Sequence, residues 1–478
     1  MEASYSGAFE FEKVEIIAAD GVPIDIRTQV IQITIFEDTF NAALHGEIVF
    51  TDNFNLQNKL PLIGQELLRL KIKTPILEDD ENAIDFTEQV FALFELANSS
   101  IINENNQVHT MRFISMEHMR NQRTKISRTL EGTFSDIVTQ ILQRDLKSTK
   151  NLWIEPSSGI KRINANNHHP MDIIRQFRTQ AVTVHNSSPT YLFYETMWGY
   201  HFRSVESLYA QFPVAYYTSL PIGQDTTKGR QDIQIEQAKI KSFTISGRPN
   251  TLVNQKNGTY GSTLIVHDIF NKAYTTHVYN YFDAFDKEKH INSYHGIEQA
   301  PLYSSVGDQT GRRLSDQPSK LYLSPTSTYD DGSDPHATNE HLQSPYASYK
   351  PEQWLQRRSS QIAQLDGGVI LTVLVDGNTA LHAGDIVEAQ VPYNAWNKNS
   401  SKDNIDKFFR GPFLVKALRH DFNVPTQEHE MSLTLVKDCV EEELPFSETS
   451  PEPKVSQEGI IHKHFYETVN AAGGSGAW

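Results

Sequence analysis

Gly64-Gln65-Glu66-Leu67 opens an alternating stretch that closes with Gln107-Val108-His109-Thr110-Met111-Arg112-Phe113. The same pattern returns as Gly384-Asp385-Ile386-Val387 and Gln427-Glu428-His429-Glu430-Met431-Ser432-Leu433. The glycines lie 384 − 64 = 320 positions apart, and the two Gln-x-His-x-Met cores 427 − 107 = 320. Two anchors that agree without an adjustable gap point to an internal duplication of one β-domain. One detail is out of phase: Leu68, Leu70 and Ile72 follow the first glycine, whereas Val387, Ala389 and Val391 follow the second one step earlier. A one-residue slip reverses the buried face, so the duplication requires a bulge or a small indel there.

A third echo sets the size of an insertion. Gly46-Glu47-Ile48-Val49-Phe50-Thr51-Asp52-Asn53-Phe54-Asn55 resembles Gly261-Ser262-Thr263-Leu264-Ile265-Val266-His267-Asp268-Ile269-Phe270-Asn271, at an offset of 268 − 52 = 216. The second copy should then carry about 320 − 216 = 104 additional residues between roughly 275 and 370. That stretch contains Ser315-Asp316-Gln317-Pro318-Ser319 and a Ser/Pro/Asp-rich run from 324 to 335, a composition that buries little apolar surface.

Working outward, Val14 to Met119 alternates with period two, as an antiparallel β-domain with one wet face does. Thr133-Phe134-Ser135-Asp136 starts a helix with Thr133 as N-cap, and Pro170 opens another at its first turn. Tyr191 to Ser204 reads as an aromatic β-hairpin around Gly199, its rings assigned to a core. Strands resume at Ile240, with a tight hairpin expected at Asn257-Gly258. A helix from Pro351 ends at Gly367-Gly368, and strands continue from Val369 to Val440. Glu441 onward reads as an acidic extended linker leading to an apolar patch, Ile460, Ile461, Phe465 and Tyr466, suited to docking on a partner.

The expected organisation is α+β and β-dominated: a first barrel at 1–125, an α+β insert at 126–237, and a second barrel in two parts, 238–285 and 368–440. An irregular insert with one helix occupies 286–367, and a linker with a docking tail 441–478. Gly64 and Gly384 are the structural turn candidates.

Bulk properties exclude several functions. At 478 residues the chain exceeds one ordinary core. It has no apolar run long enough to span a membrane and no signal-peptide profile, so a soluble, unsecreted protein is expected. The single cysteine, Cys439, rules out an internal disulfide and reads as a buried apolar residue. A net charge of −16 disfavours binding to nucleic acid by phosphate neutralisation. It suits a surface past which a polyanion slides.

No phosphate-cradling glycine loop, nucleophile elbow or metalloprotease helix occurs. His168-His169 reads as a surface turn, Asp330-Asp331-Gly332-Ser333-Asp334 as a flexible acidic loop and His462-Lys463-His464 as a solvated tail. His109 and His429 recur without recurring acids, which assigns them a structural place on equivalent edge strands. No catalytic, cofactor-binding or metal-ligating residue is assigned.

The order of β-domain, α+β insert and split second β-domain resembles the central baseplate hub of contractile-tailed phages of the T-even type. The matching features are Leu67 to Lys73 after Gly64, the helix from Thr133 to Leu142 and the Met171 to Ala181 helix. Within Trp354 to Val440 they are Asp366-Gly367-Gly368, Gly384-Asp385-Ile386-Val387, Phe413-Leu414-Val415 and His429-Glu430-Met431. The resemblance implies a non-enzymatic virion protein of the tail baseplate, assembled in the host cytoplasm. It implies a homotrimer that makes six tube-like barrels from three chains and joins a trimeric spike to the hexameric tail tube. Implied partners are the spike, the tube or tube-initiator proteins and other baseplate proteins; DNA passes through the channel without specific binding, and nothing inserts into a membrane. The alternatives are a tail-associated cell-wall glycan hydrolase and a trimeric receptor-binding tail protein.

Overall fold

The computed structural model describes residues 5–18, 21–52, 63–75, 82–103, 106–219, 236–247, 250–269, 272–295, 314–326, 349–392 and 405–442. All belong to one compact unit, Met1–Glu442. Among them no helix is long and apolar enough to cross a membrane.

The period-two stretches near the front form seven strands: β1 (Glu10–Ile17), β2 (Pro23–Asp25), β3 (Val30–Asp38), β4 (His45–Asp52), β5 (Leu67–Lys73), β6 (Ile84–Asn103) and β7 (Asn106–Ser115). They pair antiparallel in the order β3-β4-β7-β6-β5-β1-β2. Leu68, Leu70 and Ile72 are buried while their neighbours are half-exposed, as alternation demands. Val14 of β1 and Ile33 of β3 share one core with Phe50, Phe91 and Phe113. In a flat sheet these two strands, five steps apart, would stand about 24 Å from each other. The sheet therefore rolls around that core.

The α+β insert follows with α1 (Met116–Arg123), β8 (Ile126–Gly132), α2 (Phe134–Gln140), β9 (Asn151–Ile154), β10 (Lys161–His168), α3 (Pro170–Phe177), β11 (Tyr191–Thr196), β12 (Gly199–Ser204) and α4 (Val205–Tyr209). Thr133 caps α2 in a reciprocal box with Asp136, and Pro170 occupies the first turn of α3. β11 and β12 form the expected hairpin, and Tyr191, Phe193, Tyr200 and Phe202 are core.

A second run consists of β13 (Ala215–Thr218) and β14 (Ile240–Gly247), followed after a further insert by β19 (Val369–Asp376), β20 (Ile386–Pro392), β21 (Ile405–Asn423) and β22 (Glu428–Lys437). The order here is β14-β19-β22-β21-β20, again antiparallel, with β13 added parallel to β20. This run has its own core, including Leu371, Val387, Phe413 and Leu433. β21 pairs with β3, and the two runs become one 13-stranded sheet. The pairing path is open, ending at β14 and β2, so the described residues contain two rolled half-sheets and no closed barrel.

The insert between β14 and β19 begins earlier than the third echo implied. It holds α5 (Thr251–Asn257), β15 (Gly261–Asp268), β16 (Ala273–Asn280), α6 (Tyr281–Phe285), β17 (Tyr294–His295), β18 (Lys320–Thr326) and α7 (Leu355–Gly367). β15 pairs only with β16 and β18, in a sheet of its own, and the place equivalent to β4 is taken by β19. The stretch 238–285 thus divides between sheet and insert. An eight-residue half-buried strand has the same alternation in any sheet, which is why the echo misled. Asn257-Gly258 ends a helix, with Gly258 in the left-handed region at φ 75°, and does not turn a hairpin. His109 and His429 sit on β7 and β22, which are interior strands, not edges. The last pairing joins β17 to β23 (Cys439–Val440).

Candidate assembly interface

The joint between the half-sheets is a run of antiparallel pairs from Ala417↔Asp38 to Asn423↔Gln32. Thr34 Oγ1 donates to Asp421 Oδ1 across it at 3.0 Å, and the Thr39 N–H donates to the Lys416 carbonyl at 2.9 Å. Phe422 of β21 reaches into the first core, where Phe9 meets its ring edge-on at 5.5 Å. On the same strand His420 Nδ1 lies 3.0 Å from His429 Nε2, and the His429 ring stacks 4.0 Å from Phe422. Both imidazoles are fully buried. Burial, reinforced by Lys241, drives His429 down to about 3. Burial and the charges of His429 and His382 push His420 well below its ordinary value. The recurrent partner, His109, is also fully buried, with Nε2 3.6 Å from Asp52 Oδ2.

The α+β insert straps this joint. Glu37 of β3 accepts the Met197 N–H at 2.7 Å and the Ala383 N–H at 2.8 Å, linking the hairpin to the loop before β20. Glu195 accepts the Leu44 N–H at 2.8 Å and Lys150 Nζ at 2.5 Å, while Lys150 also holds Glu117 at 2.7 Å. Burial raises both carboxyls. Lys150 brings Glu117 below its ordinary value, whereas Glu195, fully buried beside Glu117, stays above. Lys150 is the member the trio depends on, because its loss would leave two carboxylates buried together without a compensating charge.

Gly64 and Gly384 both adopt positive φ, 83° and 94°. In each turn an acidic side chain receives backbone N–H groups: Glu66 those of Ile63, Gly64 and Gln65, and Asp385 that of His382. A Cβ on Gly64 would stand 3.0 Å from the Phe94 backbone, and one on Gly384 would overlap the Tyr194 hydroxyl. Ile460, Ile461, Phe465 and Tyr466 lie outside the described residues.

Among the described residues, β14 and the far half of β6 are each open on one side. β14 pairs with β19 on one side and with no other described strand on the second. β6 beyond Phe94 pairs with no described strand except β7, although the matching part of β21 is covered by β3. Phe94, Glu95 and Ala97 to Ile101 are exposed along that edge, as are Lys241 to Ser246 along β14. Sequence reading missed both edges, since alternation marks strands and not their neighbours. The buried trio was equally hidden, its members being far apart in the chain.

No family description matches the chain, and no curated protein matches it by sequence. Solved structures do. The tail protein from Neisseria meningitidis MC58 superposes with a TM-score of 0.50 at 10% identity, over 90% of this chain and 97% of that one. The 43 kDa tail protein of prophage MuSo2 from Shewanella oneidensis gives 0.49 at 8% identity, over 90% and 99%. At such identities the likeness concerns the fold alone, and this chain has a tail-protein fold.

Proposed function

We propose that this chain is a structural hub of a phage-type tail baseplate. It acts as a homotrimer whose six rolled half-sheets form a ring that mates a threefold spike to a sixfold tube. The observation that carries the reading is the repeated strand order, with one joint already made inside the chain and the equivalent edges, β14 and the far half of β6, open among the described residues. In the ring, β14 of one chain lies along the β6 edge of the next, in the register that β3 makes with β21.

That register can be worked out. His420 pairs with Ile35 at the joint. His420 is opposite Met431 as Leu96 is opposite Met111, and 431 − 111 = 320. Ile35 reaches Phe113 through Gly46 as Phe243 reaches Leu433 through Val373, and 433 − 113 = 320. Phe243 therefore faces Leu96 of the neighbouring chain. The tail-protein fold supports the placement, and a net charge of −16 suits a channel that DNA traverses by repulsion.

Light scattering on the purified chain should give about three times 54.3 kDa. A chain carrying Leu96→Cys and Phe243→Cys should, on oxidation, yield covalent dimers and trimers that neither single variant gives. A monomer at tens of micromolar would overturn the hub reading. A trimer without cross-links would overturn only the edge register. Clearing of a peptidoglycan suspension would favour the glycan hydrolase instead.

A further inference from the structure

Three donor groups that play no part in the joint converge where the second insert meets the end of β22. His290 lies in the loop after α6; Asp438 lies between β22 and β23, and Cys439 opens β23, where it pairs with His295 of β17. His290 Nδ1 is 2.6 Å from Asp438 Oδ2, and the Cys439 thiol donates to Asp438 Oδ1 at 3.1 Å. One donor atom from each lies within 4.8 Å of the others. The His290 and Asp438 side chains are each 4% exposed and Cys439 is fully buried. His290 Nε2 is buried and has no hydrogen-bond partner among the described residues. Phe285 stacks 3.9 Å from the His290 ring and packs 4.0 Å from His295, so aromatic side chains wall the cluster from water.

We propose that His290, Asp438 and Cys439 form a binding site for a borderline-soft divalent cation of the zinc class. A thiolate, an imidazole and a carboxylate are the donor set such an ion takes from protein. With bonds of about 2.0 to 2.3 Å in a tetrahedral array, donor atoms stand roughly 3.3 to 3.7 Å apart. To reach that spacing the nitrogen and oxygen, 2.6 Å apart, open by about 0.7 Å when the proton between them leaves, and the widest donor pair, within 4.8 Å, draws in toward the cation. Binding releases the Cys439 thiol proton and the proton shared between Asp438 and His290. The surroundings favour added positive charge: the carboxylates of Glu288 and Glu206 also act on His290, although Arg357 pairs with both and Lys437 acts on Cys439. The ion would be structural, a staple between groups 148 residues apart that ties the second insert to the rear half-sheet.

The test uses the full chain, prepared without a histidine tag, stripped with chelator and titrated with Co2+. Uptake should reach one ion per chain with a near-ultraviolet thiolate-to-cobalt band, Zn2+ should bleach it, and Zn2+ should raise the melting temperature. Cys439→Ser should abolish the band, and the nearly isosteric Asp438→Asn should weaken binding roughly tenfold or more. A chain with His462→Ala and His464→Ala should bind like the parent. The proposal fails if Co2+ is not retained, if its spectrum lacks the thiolate band, or if Asp438→Asn binds with unchanged affinity. Because Asp438→Asn carries that last outcome, misfolding of Cys439→Ser leaves the test intact.

Discussion

Tyr194 sets its hydroxyl where a Cβ on Gly384 would be, so that glycine is demanded by contact as well as by its φ of 94°. Gly64→Val should cost roughly 1 to 3 kcal/mol from backbone strain, and Gly384→Val more, because the α+β insert must also shift. Urea midpoints would measure both, and unchanged midpoints would show that neither turn needs its left-handed backbone. The buried histidines make a second residue-scale prediction. Unfolded, His420 and His429 titrate near about 6.5, whereas folded His429 is held down to about 3 and His420 well below its ordinary value. Between those values the unfolded chain takes up protons that the folded chain refuses. Their stability contribution is thus complete above about pH 6.5 and is lost as pH falls, by at most about 1.4 kcal/mol per unit for each. Melting temperatures measured from pH 7 to 5 should fall more steeply for the parent than for a His420→Gln, His429→Gln double variant.

At the scale of elements, the Lys150 trio joins α1 to β11 within the α+β insert, and Glu195 ties the insert to the front half-sheet through the Leu44 N–H. Lys150→Ala leaves Glu117 and Glu195 buried together and should destabilise by about 3 to 5 kcal/mol. Adding Glu117→Gln and Glu195→Gln to Lys150→Met should restore most of that in chemical denaturation. If the single and triple variants unfold alike, the trio is not what holds the insert. Most strands were legible because one face is wet, as at Leu68, Leu70 and Ile72, and helix starts were legible at Thr133 and Pro170 because capping is local chemistry. The phase slip lies before the strands, not inside them: β5 alternates without a break from Leu67 to Lys73, and the buried face starts at Leu68 in one copy and already at Val387 in the other. Strand neighbours were not legible. β15 alternates like β4 yet belongs to another sheet, and Asn257-Gly258 suits a helix end as well as a hairpin. Convergence of His290 with Cys439 depends on the β17 and β23 pairing, which nothing local to either segment announces.

At the scale of the molecule, the proposed trimer uses the open edges of β6 and β14. Unpaired strand edges are hazardous unless covered, and here the trimer proposed above would cover them. The intramolecular joint carries a different consequence, for synthesis. β3 waits for β21, whose Ala417 pairs with Asp38, and the front core lacks Phe422 until then. As the chain leaves the ribosome, at about 5 to 20 residues per second, the nascent front half must therefore stand with a bare β3 edge for some tens of seconds. A cell making this protein has to shelter that intermediate, and a ribosome stalled before β21 would release an aggregation-prone fragment.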